Sequence, residues 1–304
     1  MSPSSVALTP SRPFEPLILL LATGGLVGAV FPVTKLAQAA GAAPLPWALS
    51  MMVGAAVILA ALARAQGARL PLNGACLRYC AVSGFLSMAL PNVAVFLAMP
   101  KLGAGLTSVV YTLPPILTLL LATAVGVERP DRRRVVGIGL GLLGALLIVG
   151  PRGSLPSPDL AGWMAVAFLA PASGAVGNVY RTRAWPPGVR PLALATGTMV
   201  SGAVWVAAML AVSGGMGDVA GLALVPGLAL LQILVLALTY VLYFRLQVVA
   251  GPVYLSQTGY VATAVGLGSG ALAFGETYSP WVWGGAAVIA LGVLLVSVGR
   301  KATA

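Results

Sequence analysis

Uncharged, mostly apolar runs of about twenty residues recur along the chain from Leu17 almost to Val298. A helix needs roughly 20 such residues to cross the hydrocarbon core of a bilayer. Only 8% of the 304 residues are charged and the mean hydropathy is +1.00, whereas soluble domains carry about 25% charged residues. The chain is therefore predicted to be an all-α integral membrane protein, and a soluble fold is excluded.

The apolar runs predict ten transmembrane helices. Short joints rich in Pro and Gly separate them, for example Pro151-Arg152-Gly153, where a helix cannot easily continue. The segment before Leu17 is short and polar, and no cleavable signal peptide is expected. The predicted helices span residues 17–37, 45–63, 77–99, 103–125, 135–150, 160–180, 191–213, 222–248, 252–274 and 281–298.

The basic residues divide unevenly between the two sides that these helices define. The side opposite the N-terminus keeps three of the 17, namely Lys35, Lys101 and Arg152. By the positive-inside rule, both termini are expected in the cytoplasm. The Ala-, Gly- and Arg-rich composition is typical of a GC-rich bacterium, so we expect the bacterial inner membrane. The N-terminal side holds Arg12, Arg64, Arg69, Arg78, Arg129, Arg132, Arg133, Arg134, Arg181, Arg183, Arg190, Arg245, Arg300 and Lys301.

The net charge of +11 comes from basic residues that are concentrated on one side of the predicted helices. The cluster Arg132-Arg133-Arg134 would lie against the anionic lipids of the cytoplasmic leaflet. Membrane lipids are therefore expected partners, and nucleic acid is not.

The chain also contains an internal repeat. A shift of 146 residues places Lys35 over Arg181, and a longer shift aligns the later helices. The predicted units are a cytoplasmic tail at 1–16, five-helix repeats at 17–150 and 151–300, and a tail at 301–304. Because five is odd, the second repeat is inverted, an arrangement associated with alternating access. A shift of 148 residues superimposes Gly103 on Gly251, Ser108 on Ser256, Leu119 on Leu267, Glu128 on Glu276, Gly137 on Gly285 and Gly144 on Gly292.

The segment AFGETYSPWVWGGAA at 273–287 resembles the closing part of the EamA family, which belongs to the drug/metabolite transporter superfamily. A weaker copy, VGVERPD, occurs at 125–131. The resemblance implies an exporter with a central cavity lined by helices one to four and six to nine, with helices five and ten outside it. Within the family, the chain most resembles amino-acid exporters of the YddG type.

The residues of this motif are interpreted as structural. Glu128 and Glu276 fall at joints between helices, where they are expected to bond backbone amides. Asp131 and Ser279 precede helices five and ten as caps, with Pro favoured just inside a helix.

Candidate substrate-binding residues are polar or aromatic groups inside predicted helices, which should face the interior because unpaired polar groups are costly in lipid. Prolines at 32, 91, 114, 115 and 171 predict kinks that free backbone carbonyls around a cavity. Interhelical bonding is the alternative role for such polar groups, which also include Asn178, Gln232 and Tyr243. The chosen candidates are Asn92, Tyr111, Tyr240, Gln257 and Tyr260, with Phe31, Phe96, Trp163 and Phe168 as apolar walls. For Trp163, an interfacial anchor is an equal alternative.

Small residues on two helices favour close approach, with Gly137, Gly141 and Gly144 on helix five and Gly285 and Gly292 on helix ten. Packing within the chain is the first interpretation, and a homodimer formed through these faces is the alternative.

Catalysis and cofactor binding are not expected. The chain has no histidine, and no carboxylate lies near Cys76 and Cys80, which are interpreted as free thiols rather than metal ligands. With its six carboxylates outside the middle of any predicted helix, the chain offers little for acid–base chemistry. A membrane-embedded enzyme, a receptor and a passive channel are the competing classes.

The absence of Asp, Glu and His from the middle of any predicted helix also bears on the substrate, because membrane proton relays generally use such groups. We expect transport without obligatory proton coupling, with neutral groups holding small zwitterions such as amino acids. Export of organic cations is the alternative.

The charge asymmetry predicts that positions 215 and 276 face the periplasm and positions 133 and 183 face the cytoplasm. Single cysteines introduced at these positions in a cysteine-free background should be labelled from outside intact cells at 215 and 276 only. Labelling at 133 with protection at 215 would reverse the orientation.

Overall fold

The computed structural model describes residues 14–98, 101, 112–128, 131–149, 161–213, 215–274 and 279–298. These residues are largely helical and contain no strand. Helices α1, α2, α3, α6, α7 and α8 are long and apolar enough to cross a membrane. The helices are α1 Glu15–Ala39, α2 Pro44–Ala65, α3 Gly74–Ala98, α4 Pro114–Ala124, α5 Arg132–Val149, α6 Ala161–Arg183, α7 Pro191–Ser213, α8 Pro226–Ser256, α9 Thr258–Phe274 and α10 Pro280–Val298, with a 3₁₀ helix at Gly215–Leu224.

Proline and glycine determine where many of these helices begin and end. Five of them, α2, α4, α7, α8 and α10, begin at a proline, whose fixed φ and missing N–H suit the first helical position. Helices α1, α2 and α4 are each followed by a glycine with positive φ, at Gly41, Gly67 and Gly126. The residue after each glycine donates to a carbonyl five residues back, which closes the helix end.

Two helices depart from regular geometry. In α3, the segment Phe85–Ala89 forms a π-turn, and the amide of Leu90 donates to the carbonyl of Phe85. In α8, Gly251 has φ 77°, so the helix breaks there and resumes at Pro252. The predicted boundary between helices eight and nine, at residues 248–252, coincides with this break.

Glu128 and Asp131 have the structural roles that the sequence suggested. Glu128 Oε1 accepts from the amide of Val253, 3.4 Å away, just after the break in α8, and its other oxygen pairs with Arg134. Asp131 Oδ1 accepts from the amide of Arg133 at the start of α5. Glu276 lies outside the described residues.

Helix four was predicted to span residues 103–125 with a kink at Pro114 and Pro115, and residues 102–111 lie outside the described residues. In the part that the structure describes, the two prolines stand at a helix start. There, α4 begins at Pro114, with Leu113 as its N-cap. Two prolines fit a helix start because neither needs to donate a hydrogen bond. Pro32 and Pro171 lie inside α1 and α6, as predicted.

Helices of the first five pack on helices of the second five in exchanged pairs. Helix α2 packs on α8 and α7 packs on α3, while α1 packs on α9 and α6 packs on α4. If every helix is replaced by the helix five places away in the chain, the pair α2–α8 becomes α7–α3, and the pair α1–α9 becomes α6–α4. Two similar parts related by a two-fold axis produce this pattern.

Helices α5 and α10 make the closest contact of this kind. A Cβ added to Gly144 would lie 2.5 Å from the carbonyl oxygen of Gly285, and one added to Gly292 would lie 2.5 Å from that of Gly137. The shift of 148 residues relates position 137 to 285 and position 144 to 292, so it converts the contact 137–292 into the contact 144–285. The two helices run antiparallel. These glycines are therefore covered within the chain, as the first interpretation expected.

Contacts between helix ends agree with the predicted sides. Arg190 at the start of α7 donates to the carbonyl of Gln66, and Arg183 donates to that of Val125. Arg245 pairs with Glu15 at the start of α1. All of these residues were assigned to the side of the N-terminus. The described exterior is rich in exposed apolar side chains, and Trp281 and Trp283 project outward at the start of α10.

The glycine contact between α5 and α10 predicts the effect of two alanine substitutions on the same helix. Gly144→Ala should lower the free energy of unfolding by about 1–3 kcal/mol, because its methyl group would meet backbone atoms that cannot move aside. Gly139→Ala meets nothing within 4 Å and should raise stability by up to about 1 kcal/mol. Thermal unfolding of the detergent-solubilised proteins measures both. Equal effects of the two substitutions would contradict the packing.

Candidate substrate-binding site

Arg181 is completely buried, with 0% of its surface exposed. It was expected in a joint beyond helix six, whereas α6 continues to Arg183 and Arg181 lies in its last turn. The Arg181 side chain is directed into the helix bundle. It is the one buried charged residue in the part of the chain that the structure describes.

Four neutral side chains surround its guanidinium group. Its Nε donates to Gln247 Oε1 at 2.8 Å, and one terminal nitrogen donates to Ser87 Oγ. The other terminal nitrogen donates to Asn178 Oδ1 at 2.6 Å and to the Tyr243 hydroxyl at 2.8 Å. We call these five residues the Arg181 cluster. It joins α3, α6 and α8.

The acceptors of the cluster are held in place by their own bonds. Gln247 Nε2 donates to the carbonyl of Asn178 and to Thr182 Oγ1, both at 2.8 Å. The Tyr243 hydroxyl donates to Asn178 Oδ1 at 2.8 Å, and Asn178 Nδ2 donates to Thr118 Oγ1 at 3.4 Å. Each amide therefore presents its oxygen to the guanidinium, which leaves the positive charge solvated by fixed dipoles.

Aromatic rings cover the guanidinium on one side. Its carbon lies 5.0 Å from the ring centre of Tyr243 and 5.7 Å from that of Phe244, within the range of cation–π attraction. Tyr240 extends this group, with its ring centre 5.5 Å from that of Tyr243. The cluster thus has a polar side on α3 and α6 and an aromatic side on α8.

Pro91 explains why Ser87 is available to this cluster. A proline ring clashes with the carbonyl four residues before it, which here belongs to Ser87, inside the π-turn. That carbonyl accepts instead from the Tyr240 hydroxyl at 3.4 Å. Gly177 on α6 has no side chain where Ser87 Oγ approaches, so α3 and α6 come close enough for Arg181 to reach it. π-turns of this kind occur frequently at functional sites.

Two of the predicted binding residues meet at this π-turn. Tyr240 is buried and bonded to it as described, and Asn92 donates through Nδ2 to the carbonyl of Met88 at 2.7 Å. Phe96 is buried one turn beyond Asn92 on α3. Both side chains therefore bond carbonyls of the π-turn, Asn92 from its own helix and Tyr240 from α8.

Gln257 lies apart from the cluster, between the end of α8 and the start of α9. It is 1% exposed, and neither its amide nitrogen nor its amide oxygen has a hydrogen-bond partner among the described residues. A buried amide without partners is costly. Gln257 is therefore the predicted binding residue whose side chain is best placed to receive an additional polar group.

Tyr260 does not fit the predicted role. Its hydroxyl donates to the carbonyl of Ile138 on α5 at 3.1 Å, and its ring occupies the space left by Gly141. It faces α5, the helix expected outside the cavity, because α9 uses it to pack there. We assign Tyr260 to helix packing. Tyr111 lies outside the described residues.

The predicted apolar walls do not form one surface. Trp163 is partly buried and packs with Ala98 and Ala167, where the end of α3 meets the start of α6. Phe168 is 45% exposed and points outward, so its prediction as a wall is wrong. Phe31 is partly buried on α1, one residue before Pro32.

Sequence reasoning missed Arg181, Ser87 and Gln247. Two signals were available: the repeat places Arg181 over a lysine, and Tyr240, Tyr243 and Gln247 recur on α8 at spacings of three and four, which forms one polar face. Neither signal distinguishes a buried arginine from one that reaches the membrane surface. That difference depends on the packing of α6 against α3.

No group of His, Cys, Asp and Glu within the described ranges could hold a metal ion. Cys76 and Cys80 are free and buried. The side chains that the structure brings together are donors and acceptors of hydrogen bonds, which suits recognition of a small polar molecule.

These features define a helical multi-pass membrane protein with a buried polar cluster between its helices. Residues 15–150 match the EamA-like transporter family. A solved crystal structure matches 95% of this chain and 98% of its own, with a TM-score of 0.70 and 15% sequence identity, which shows the fold alone. No curated protein matches the sequence.

Two tyrosines near Arg181 should respond differently to loss of the hydroxyl. Tyr243→Phe removes a group that bonds both Arg181 and Asn178, and should lower stability by about 1–3 kcal/mol. Tyr79→Phe removes a buried hydroxyl without a partner among the described residues, and should leave stability unchanged or higher. Thermal unfolding compares the two variants. A larger loss for Tyr79→Phe would contradict the network.

Proposed function

We propose that the protein is a secondary transporter that exports small metabolites, amino acids first among them, from the cytoplasm of a bacterium. It would act as an amino-acid exporter of the YddG type, with ten helices in two inverted repeats, both termini in the cytoplasm, and a surface in contact with membrane lipids. The family match supports the general class of transporter. The substrate and the direction of transport are the further steps of the proposal.

The observation that carries the proposal is the composition of the Arg181 cluster. Ser87 comes from α3 in the first half, whereas Arg181 and Gln247 come from α6 and α8 in the second half. A rocking motion of one half against the other would break and remake these bonds. Alternating access requires contacts of this kind, which close one side of a central site and open as the other side closes.

The exchanged packing of the helices supports the inverted repeat. In addition, the family match at residues 15–150 begins and ends within two residues of the predicted first repeat at 17–150. The contacts between α5 and α10 exchange under the same shift that aligns the two halves of the sequence. Two halves of similar structure can adopt each other's conformation at little cost, which is the basis of the mechanism.

The cluster also bears on the choice between amino acids and organic cations. The neutral lining expected from the sequence has to be revised, because the cluster contains a full positive charge. A buried guanidinium repels an organic cation and attracts a carboxylate. This favours zwitterionic or anionic metabolites over the alternative of cationic drugs.

Flux into proteoliposomes tests the proposal. Uptake of labelled L-leucine should saturate, should be accelerated by unlabelled amino acid on the opposite side, and should not require a pH gradient. Protein-free liposomes are the control, and ethidium is the cationic comparison. Non-saturating flux without acceleration would indicate a channel. Uphill uptake driven by protons, or transport of ethidium alone, would also contradict the proposal.

A further inference from the structure

Arg181 lacks a carboxylate partner. Within the described ranges, Glu128 pairs with Arg134 and Glu15 with Arg245, and the groups that bond Arg181 are all neutral. Removing a charge from water costs several kcal/mol, and only well-placed partners with good hydrogen-bond geometry offset that cost. Charged groups inside membrane proteins therefore generally mark a functional site.

The guanidinium also has a donor to spare. Of its five N–H groups, Nε uses one, the nitrogen facing Asn178 and Tyr243 uses two, and the nitrogen facing Ser87 uses one of its two. The remaining N–H belongs to the nitrogen that faces α3. An additional acceptor would therefore approach from the side of α3.

That side of α3 carries further hydroxyl groups. Tyr79, Ser83 and Ser87 follow one another at intervals of four residues and so lie on one face of the helix. The hydroxyls of Tyr79 and Ser83 are buried and lie near each other, and neither makes a hydrogen bond of normal geometry to another described residue. The Tyr79 ring stacks on that of Tyr180, the residue before Arg181, with ring centres 6.0 Å apart. Unused donors therefore accumulate beside an uncompensated positive charge.

We infer that Arg181, together with the hydroxyls of Tyr79 and Ser83, binds a carboxylate group of the transported molecule. This inference rests on the proposed function and assigns the group of the substrate that is recognised. The single positive charge of the site matches a carboxylate, since no second charged side chain is buried with it in the described residues. A phosphate dianion would leave one negative charge without a partner.

In the described state the guanidinium is closed off, with 0% exposure. A carboxylate enters only when the contact between α3 and α6 opens, and it then takes the place of Ser87 at the guanidinium. The planar fork of arginine can hold both carboxylate oxygens at once, which a lysine cannot do. Binding of the carboxylate therefore accompanies the separation of α3 from α6.

The test uses three probes of one shape and four variants of the full chain. L-leucine carries both charges, 4-methylpentanoate carries the carboxylate alone, and L-leucinamide lacks the carboxylate. The variants are Arg181→Gln, Arg181→Lys and Asn178→Asp, with Arg183→Gln as the matched control two residues away on the exposed surface. The readout is the rise in the thermal unfolding midpoint with about 10 mM probe.

Asn178→Asp separates recognition from packing. The new carboxylate can keep the bonds from Arg181 and Tyr243, and its second oxygen can accept from Thr118, which now faces the amide nitrogen. It supplies Arg181 with an internal anion. The variant should fold at least as stably as the wild type and yet lose the response to carboxylates.

In the wild type and in Arg183→Gln, leucine and 4-methylpentanoate should raise the midpoint, whereas leucinamide should not. Arg181→Gln and Asn178→Asp should weaken carboxylate binding about tenfold or more, and Arg181→Lys should lose less. A response to leucinamide equal to that of leucine would overturn the inference. So would an unchanged response in Arg181→Gln or Asn178→Asp, or no response of the wild type to either carboxylate.

Flux measurements on the same proteins separate this inference from the proposed function. Equal leucine flux in the wild type and Arg181→Gln would overturn the carboxylate site and leave transport standing. No flux in the wild type, together with a midpoint shift that depends on Arg181, would support the site and count against transport.

Discussion

In the hydrocarbon core of a membrane, a polar group that loses its partner cannot turn to water, so every break in a helix must be satisfied by another part of the protein. The π-turn in α3 shows this constraint, and the break in α8, at the joint between predicted helices eight and nine, is satisfied in the same way. Pro91 releases the carbonyl of Ser87, which Tyr240 then bonds, and the break at Gly251 leaves the amide of Val253 to Glu128. Distant helices are joined at each point where one helix is interrupted.

The same constraint accounts for the organisation around Arg181. The cluster satisfies four of the five guanidinium donors with neutral groups, and those groups are oriented by bonds to one another. Such an arrangement solvates the charge without cancelling it. A carboxylate in the cluster would have stabilised the fold more simply, and its absence from the described neighbours is the reason to connect this site with an anionic ligand.

The glycines of α5 and α10 have a different function. Their contacts lie away from the Arg181 cluster, and their backbones approach so closely that even a methyl group is excluded. Such a pair forms a rigid connection between the two halves. The polar contacts among α3, α6 and α8 are directional bonds that can be exchanged, which suits the motion of the proposed transport cycle.

The sequence by itself determined that the chain is a multi-pass membrane protein and where most of the described helices begin and end, because apolar length, proline and glycine act locally along the chain. It also selected Tyr240 and Gln257, which are buried, and Asn92, which is partly buried, although no comparison tests their role in binding. Only the tertiary structure decided that Tyr260 bonds α5 and that Phe168 faces outward, since the direction of a side chain depends on the neighbours of its helix. The burial of Arg181 was decided in the same way. It depends on the packing of α6 against α3, where Gly177 and Ser87 lie opposite each other, and no local pattern contains that information.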